Sequence, residues 1–173
     1  MSKLYKSFWV YAAAIPALVI AADQASKYWA TRAFNVPFDI CGVNPNIGME
    51  GLFKNMTPIV DLAMTCNQGV SFGLLGGDSD LKRWALTVFA AIMCGVLFYI
   101  LSGTKDRLSR LGIALIIGGA IGNGIDRFFF GAVTDFISVG ELLPFFPWVF
   151  NIADSAITCG VIGLLLAGFL QKP

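Results

Sequence analysis

G-G-A-I-G-N-G-I-D-R-F-F-F-G-A-V-T-D-F-I-S-V-G-E-L-L-P-F-F-P-W-V-F-N-I-A-D, residues Gly118 to Asp154, sets a few polar side chains into a run so apolar that water is scarce around them. Asn123, Asp126, Arg127, Asp135, Asn151 and Asp154 are the interruptions. A polar group in such surroundings is costly unless it is partnered, so each of these implies a partner or a task. The rest of the chain has the same background: its 173 residues are 57% hydrophobic and 13% charged, with a mean hydropathy of +0.74. Those values place it among membrane proteins.

Composition also removes whole classes of function. The net charge is +1 with no basic run, so there is no electrostatic footprint for nucleic acid. Histidine is absent, which removes His-assisted serine or cysteine nucleophiles and every metal site built on imidazole. Carboxylate chemistry remains, and no cofactor or metal is expected. Four cysteines stand at 41, 66, 94 and 159 without a C-x-x-C pair. Cys94 and Cys159 lie in apolar runs and read as buried thiols; Cys41 and Cys66 suit an oxidising compartment, and sequence alone does not say whether they bridge.

Spans can be laid out from the apolar runs. Crossing ~30 Å of hydrocarbon takes about 20 residues, so the run from Phe8 extends through Asp23 and Lys27 as a span over 8–30. Its basic start and apolar run also fit a signal peptide, but the apolar character continues past Asp23. Asp23 and Lys27, four apart in the favourable order, read as a helix-end ion pair. Residues 31–80 carry Pro37, Pro45, Pro58 and several Gly and Asn, the signature of a water-exposed loop region. Within it Ile59–Cys66 reads as a strand, and residues 67–77 as a turn leading into more strand or an interfacial loop. Further spans fall at 83–101, 111–127 and 152–170. Gly118 and Gly122 have the G-x-x-x-G spacing that lets helices approach closely, and are no nucleotide loop, since no strand precedes them and no Lys-Ser/Thr follows. Residues 128–151 form an amphipathic, aromatic-rich outer segment, in which 137–149, with Pro144, Pro147 and Trp148, reads as interfacial anchor or mobile lid. The expectation is one integral membrane domain over 1–173, mainly α, with four transmembrane helices, a small outer β-sheet subdomain and an interfacial outer segment.

Basic residues orient it. The N-terminus, the 102–110 connector and the tail hold two, three and one Lys/Arg in few residues, while the long 31–80 segment holds Arg32 and Lys54. The positive-inside rule puts both termini in the cytoplasm; Lys82 and Arg83 run against it. On that topology Asp23, Asn123, Asp126, Arg127, Asn151 and Asp154 all fall at one depth near the outer surface.

The acids differ in company. Asp126 has Arg127 beside it to neutralise it, and structural pairing is the simpler reading. Asn123, three residues before Asp126, shares its helix face. Asp135 and Asp154 have no basic residue within seven positions on either side. A first-turn acid favoured by the helix dipole would account for Asp154 but not for Asp135. Two carboxyls brought together in a dry site share one proton, the working state of an aspartic protease. The ionised member activates water, and the protonated member polarises the scissile carbonyl and then protonates the leaving amine.

Five stretches in order, D-Q-A-S-K at 23–27, N-Q-G-V-S-F-G at 67–73, G-N-G-I-D-R at 122–127, V-T-D-F at 133–136 and F-N-I-A-D at 150–154, resemble the lipoprotein signal peptidases (signal peptidase II) of bacteria. The resemblance spans the whole chain. It implies an aspartyl endopeptidase of the bacterial inner membrane with four helices and a small periplasmic sheet, its site near the periplasmic face and Asp135 and Asp154 as the catalytic pair. It also implies that Asp23, Lys27, Asn67, Gly69, Asn123, Asp126, Arg127 and Asn151 support the site. The implied substrate is a diacylglyceryl-modified prolipoprotein cut on the N-terminal side of the lipid-modified cysteine, with the lipid left in the bilayer; globomycin-type inhibitors would occupy the same site. Residues 31–58, with Cys41 and V-N-P-N-I-G-M-E-G, match no motif of the family.

Two other classes compete. A proton-coupled transporter would use intramembrane acids as a relay, but a relay needs a path across and the inner halves of the spans are apolar. An assembly protein whose acids only pair helices would unfold when Asp135 or Asp154 is replaced by Asn.

Overall fold

The computed structural model describes residues 8–44, 53–55, 57, 60–69, 79–139 and 148–170. Outside these fall the basic N-terminal residues Lys3 and Lys6, most of V-N-P-N-I-G-M-E-G, the continuation from Val70 to Gly77, the proline-aromatic run 140–147 and the tail after Leu170. The elements, in order, are a π-helical turn Val10–Ala14, α1 (Ile15–Ala33), α2 (Ile40–Val43), β1 (Phe53–Asn55), β2 (Asp61–Asn67), α3 (Ser79–Gly103), α4 (Arg107–Phe130), β3 (Val133–Ser138), β4 (Val149–Phe150) and α5 (Ile152–Leu170). The π-helical turn has a local cause: Pro16 has no N–H to give Ala12, and the Ile15 N–H reaches back to the Val10 carbonyl.

The protein is mainly helical with one small antiparallel sheet. Among the described residues three helical stretches, Asp80–Gly103, Arg107–Phe130 and Ile152–Leu170, are long and apolar enough to cross a membrane. α1 is as long as α5 but carries Asp23, Lys27 and Arg32. The chain divides into two compact units, one of residues 1–23, 89–123 and 152–173, the other of residues 24–88 and 124–151.

The first unit is helical. Ala12, Leu101, Ile113 and Ile117 are buried at its centre, with Phe8, Tyr11, Phe98 and Leu164 packed around them. α4 and α5 meet at glycines: a Cβ on Gly112 would lie 2.7 Å from the Gly160 carbonyl oxygen, and one on Gly160 would lie 2.6 Å from that of Gly112. Without a hydrophobic drive in lipid, such backbone-to-backbone approach is what packing relies on. Gly160→Leu must push the helices apart, and we expect it to destabilise by about 1–3 kcal/mol, read as a lower melting midpoint in detergent with no change in the isolated helical content.

The second unit holds the sheet, in the order β1-β2-β3-β4. β2 faces β3 with Asp61 opposite Ser138, Leu62 opposite Ile137, Thr65 opposite Asp135 and Cys66 opposite Thr134. Leu62 to Thr65 is three steps against two from Ile137 to Asp135, so β2 carries one extra residue there, a β-bulge. Opposed residues share a face, so Thr65 and Asp135 look one way and Cys66 and Thr134 the other. Cys41 of α2 and Cys66 of β2 form a disulfide, with Cα atoms 5.5 Å apart, closing the question that spacing left open.

The end of α4 is built from residues of this unit as well. Gly131, at φ +84°, donates to the Arg127 carbonyl at 3.1 Å, a left-handed terminus that glycine accepts without strain. Arg83, in the first turns of α3, donates from Nε to the Arg127 carbonyl at 2.7 Å and from its terminal nitrogen to the Phe128 carbonyl. A cation on the orphan carbonyls of a helix C-terminus is favourable. That use explains a basic residue where the flanking-charge pattern predicts none.

Candidate active site

In the second unit Asp126, one per cent exposed, is held by three partners. Lys27 Nζ lies 2.9 Å from its Oδ2, with the lysine itself one per cent exposed. Gln24 Nε2 donates to Oδ1 at 2.9 Å and the Thr134 backbone N–H donates to Oδ2 at 3.0 Å. The sequence reading that Arg127 neutralises Asp126 is therefore corrected. Consecutive helical residues point about 100° apart and do not face each other, so the cation comes from α1. Gln24 and Lys27, three apart, share one face of α1, which is how both reach a single carboxylate.

Asp135 is also buried. Asn151 Nδ2 donates to its Oδ1 at 2.6 Å, and the same nitrogen lies 3.4 Å from the Thr134 carbonyl oxygen. Asn151, fully buried, thus reads both the side chain of Asp135 and the peptide before it. Thr65, its cross-strand partner, shares its face of the sheet. Arg127 is half-buried, with its carbonyl held by Arg83. Asn67 is exposed at the end of β2, and its Oδ1 accepts the Gly69 N–H at 2.9 Å, a local turn that asparagine builds readily. Gly69 sits at φ +83°, where a Cβ would also meet Leu86 Cδ1 at 2.3 Å. The leucine end can swing away, but the backbone cannot, so Gly69→Ala is expected to cost about 1–2 kcal/mol and to disorder the Asn67 turn. Loss of protection of the Gly69 amide in hydrogen exchange checks the second point.

In the first unit Asn123 Nδ2 donates to Asp154 Oδ1 at 2.8 Å. Asp23, fully buried, accepts the Ala153 N–H on Oδ1 at 3.0 Å, and a Cβ on Gly122 would lie 2.9 Å from its Oδ2. Asp23 therefore occupies the place of an N-terminal cap for α5, satisfying one of the orphan donors of the first turn from another helix. Gly122 supplies the room.

The pattern is consistent in both units. Asp135 and Asp154 each accept a hydrogen bond from a side-chain amide. Asp126 and Asp23 are committed to a buried lysine and a helix start. Gln24, Thr134 and Thr65 were not singled out from sequence, although Gln24 stands on the face of Lys27 and the other two adjoin residues that were; Gly122 was read only as a close-approach position, and its closest approach is to Asp23. Among the described residues no group of three or more Cys, Asp or Glu is arranged to hold a metal ion.

Comparison with known proteins gives the family. Residues 15–170 match the family model described as signal peptidase (SPase) II. The lipoprotein signal peptidase of Caulobacter vibrioides is 43% identical over 95% of this chain and 89% of its own length, and that of Nitrobacter hamburgensis 40% identical over 93% and 92%. A solved bacterial membrane enzyme superposes with a TM-score of 0.70 at 27% identity, covering 94% of this chain and 93% of that one. Three apolar helices of spanning length and these relatives place the protein in a bacterial membrane. On the match to the family model over most of its length, the chain belongs to the signal peptidase II family.

Proposed function

We propose that this protein is an intramembrane aspartyl endopeptidase that removes signal peptides from diacylglyceryl-modified prolipoproteins, with Asp135 and Asp154 as the catalytic carboxylates. The observation that carries this reading is the division of labour among the four acids. Asp126 is bound to Lys27 at 2.9 Å and Asp23 to the start of α5, which makes them scaffold. Asp135 and Asp154 each accept a hydrogen bond from a neutral side-chain amide, of Asn151 and Asn123, an interaction that orients a carboxyl in either protonation state. Asn151 also stands three residues before Asp154 in the chain.

In this mechanism the ionised carboxylate takes a proton from water as the water oxygen attacks the scissile carbonyl. The protonated carboxyl donates a hydrogen bond to that carbonyl oxygen and then gives its proton to the leaving amine as the C–N bond breaks. Asn151 and Asn123 orient the two acids, and Lys27, Gln24 and Asp126 hold the peptide of Thr134 from which β3 carries Asp135. Asn67, Gly69 and Arg127 complete the polar set toward the substrate. The bond cut lies on the N-terminal side of the lipid-modified cysteine, and the acyl chains remain in the bilayer. We further propose that α1 is a fourth span, that both termini are cytoplasmic and the site lies near the periplasmic face, in one integral membrane domain with 31–80 and 128–151 outside, and that globomycin-type inhibitors compete for the site. Cleavage of a purified diacylglyceryl-modified prolipoprotein by wild type, Asp135→Asn and Asp154→Asn tests the assignment.

A further inference from the structure

The disulfide lies in the second unit, on the strand pair that carries Asp135. Cys41 and Cys66 are one and nine per cent exposed. Cys66 stands directly opposite Thr134 across β2 and β3, and Cys41 Sγ lies 3.4 Å from Thr134 Oγ1. Thr134 is a junction. Its N–H donates to Asp126, its carbonyl faces the Asn151 amide, and its peptide leads directly into Asp135. The β2–β3 ladder is interrupted by the bulge between Leu62 and Thr65, which leaves a residue of β2 unpaired on one side of this junction. The bridge pins α2 to β2 immediately beyond that bulge, and one of its sulfurs touches the threonine itself.

We infer that the Cys41–Cys66 disulfide is a positioning element for Asp135, acting through Thr134, so that proteolytic turnover depends on the bridge being oxidised. This rests on the reading of Asp135 as catalytic. Forming the bridge joins the two sulfurs and removes two electrons and two protons from two thiols. The acceptor is the disulfide of a thiol–disulfide oxidoreductase or a small disulfide, which becomes two thiols. A dithiol reverses the step: the Cys41–Cys66 S–S bond breaks, both sulfurs gain hydrogen, and the dithiol closes to its own disulfide. The free thiols Cys94 and Cys159 lie outside this arrangement.

The test compares three forms in detergent on a synthetic diacylglyceryl-modified lipobox peptide: bridged protein; protein purified throughout under dithiothreitol, with its free thiols counted by mass after alkylation; and Cys41→Ala/Cys66→Val, which keeps volume without a bridge. All carry Cys94→Ala and Cys159→Ala. The expected result is that both bridge-free forms fold and lose kcat by roughly ten-fold, in keeping with small misplacements of a reacting group, while KM changes little and the pH–rate profile is displaced. Reoxidation restores kcat in the reduced protein only. A bridge-free protein with wild-type kcat and pH profile and merely a lower melting midpoint overturns the inference, because the bridge then only stabilises. Bridge-free forms that do not fold overturn it too, since the bridge is then needed for the fold itself. If Asp135→Asn in the bridged protein still cuts, it is the catalytic reading that fails, whatever the bridge does.

Discussion

Asp135→Asn and Asp154→Asn are each expected to abolish cleavage of a diacylglyceryl-modified prolipoprotein, by on the order of 10⁴-fold or more in kcat, while melting close to wild type in detergent. The size follows from roles that no neighbouring group can assume. An amide neither takes the proton of the attacking water nor gives one to the leaving nitrogen, so either substitution removes one half of the proton transfer, and the reaction needs both. The near-native melting follows from the partners. Asp135 accepts from Asn151 and Asp154 from Asn123, and an asparagine keeps a carbonyl oxygen able to accept either bond. The double variant is expected to be no worse than either single one, because groups acting as a unit are not additive. Comparable cutting by either single variant would remove the pair and return Asp23 or Asp126 to consideration.

The same experiment separates the competing classes. A helix-pairing role for Asp135 and Asp154 predicts loss of the fold in the Asn variants, and the melting curves read that directly. A proton relay predicts no cleavage by the wild type. Intact wild-type cleavage with dead, folded variants is the outcome that only the protease reading produces.

What the sequence discloses depends on how strong a constraint the surroundings impose. Lipid demands long apolar helices with all backbone groups bonded internally, so the runs at 83–101, 111–127 and 152–170 are plain by composition, and α3, α4 and α5 contain them. The strand Asp61–Asn67 was legible from β-branched and apolar residues as Ile59–Cys66, with its start displaced. β3 and β4 were not: V-T-D-F-I-S and the two residues Val149–Phe150 lie in an aromatic-rich stretch whose apolarity has no clear period, and each is made a strand by pairing with a distant segment. Partners were harder to read than positions. Arg127 adjoins Asp126 in sequence, but helix geometry turns it away, and Lys27 arrives from 99 positions upstream. Such pairings are set by packing of helices, for which a single chain carries no local signal. The disulfide is the same case, since twenty-five residues of separation say nothing about a Cα distance.

Lys27→Met is expected to produce the largest loss of stability of any single side-chain change at these acids. Lys27 and Asp126 are both one per cent exposed and 2.9 Å apart. Removing the cation leaves a carboxylate buried with only the neutral donors Gln24 and Thr134. Breaking a buried pair in this way typically costs 3–5 kcal/mol, far more than the pair contributes relative to an apolar replacement, because the penalty is that of the stranded charge. In Lys27→Met/Asp126→Asn the charge is gone, Oδ1 of the new amide can still accept the Thr134 N–H, and Gln24, by rotating its amide, can accept from the new Nδ2. The double variant should therefore melt above the single Lys27→Met variant, a positive coupling that thermal melting of the four members of the cycle measures. If the two losses simply add, Asp126 is stabilised by something other than Lys27, and the scaffold role given to this pair is wrong. Activity should follow stability in the double variant rather than fall to the level of Asp135→Asn, because the pair acts on Asp135 only by holding the peptide of Thr134.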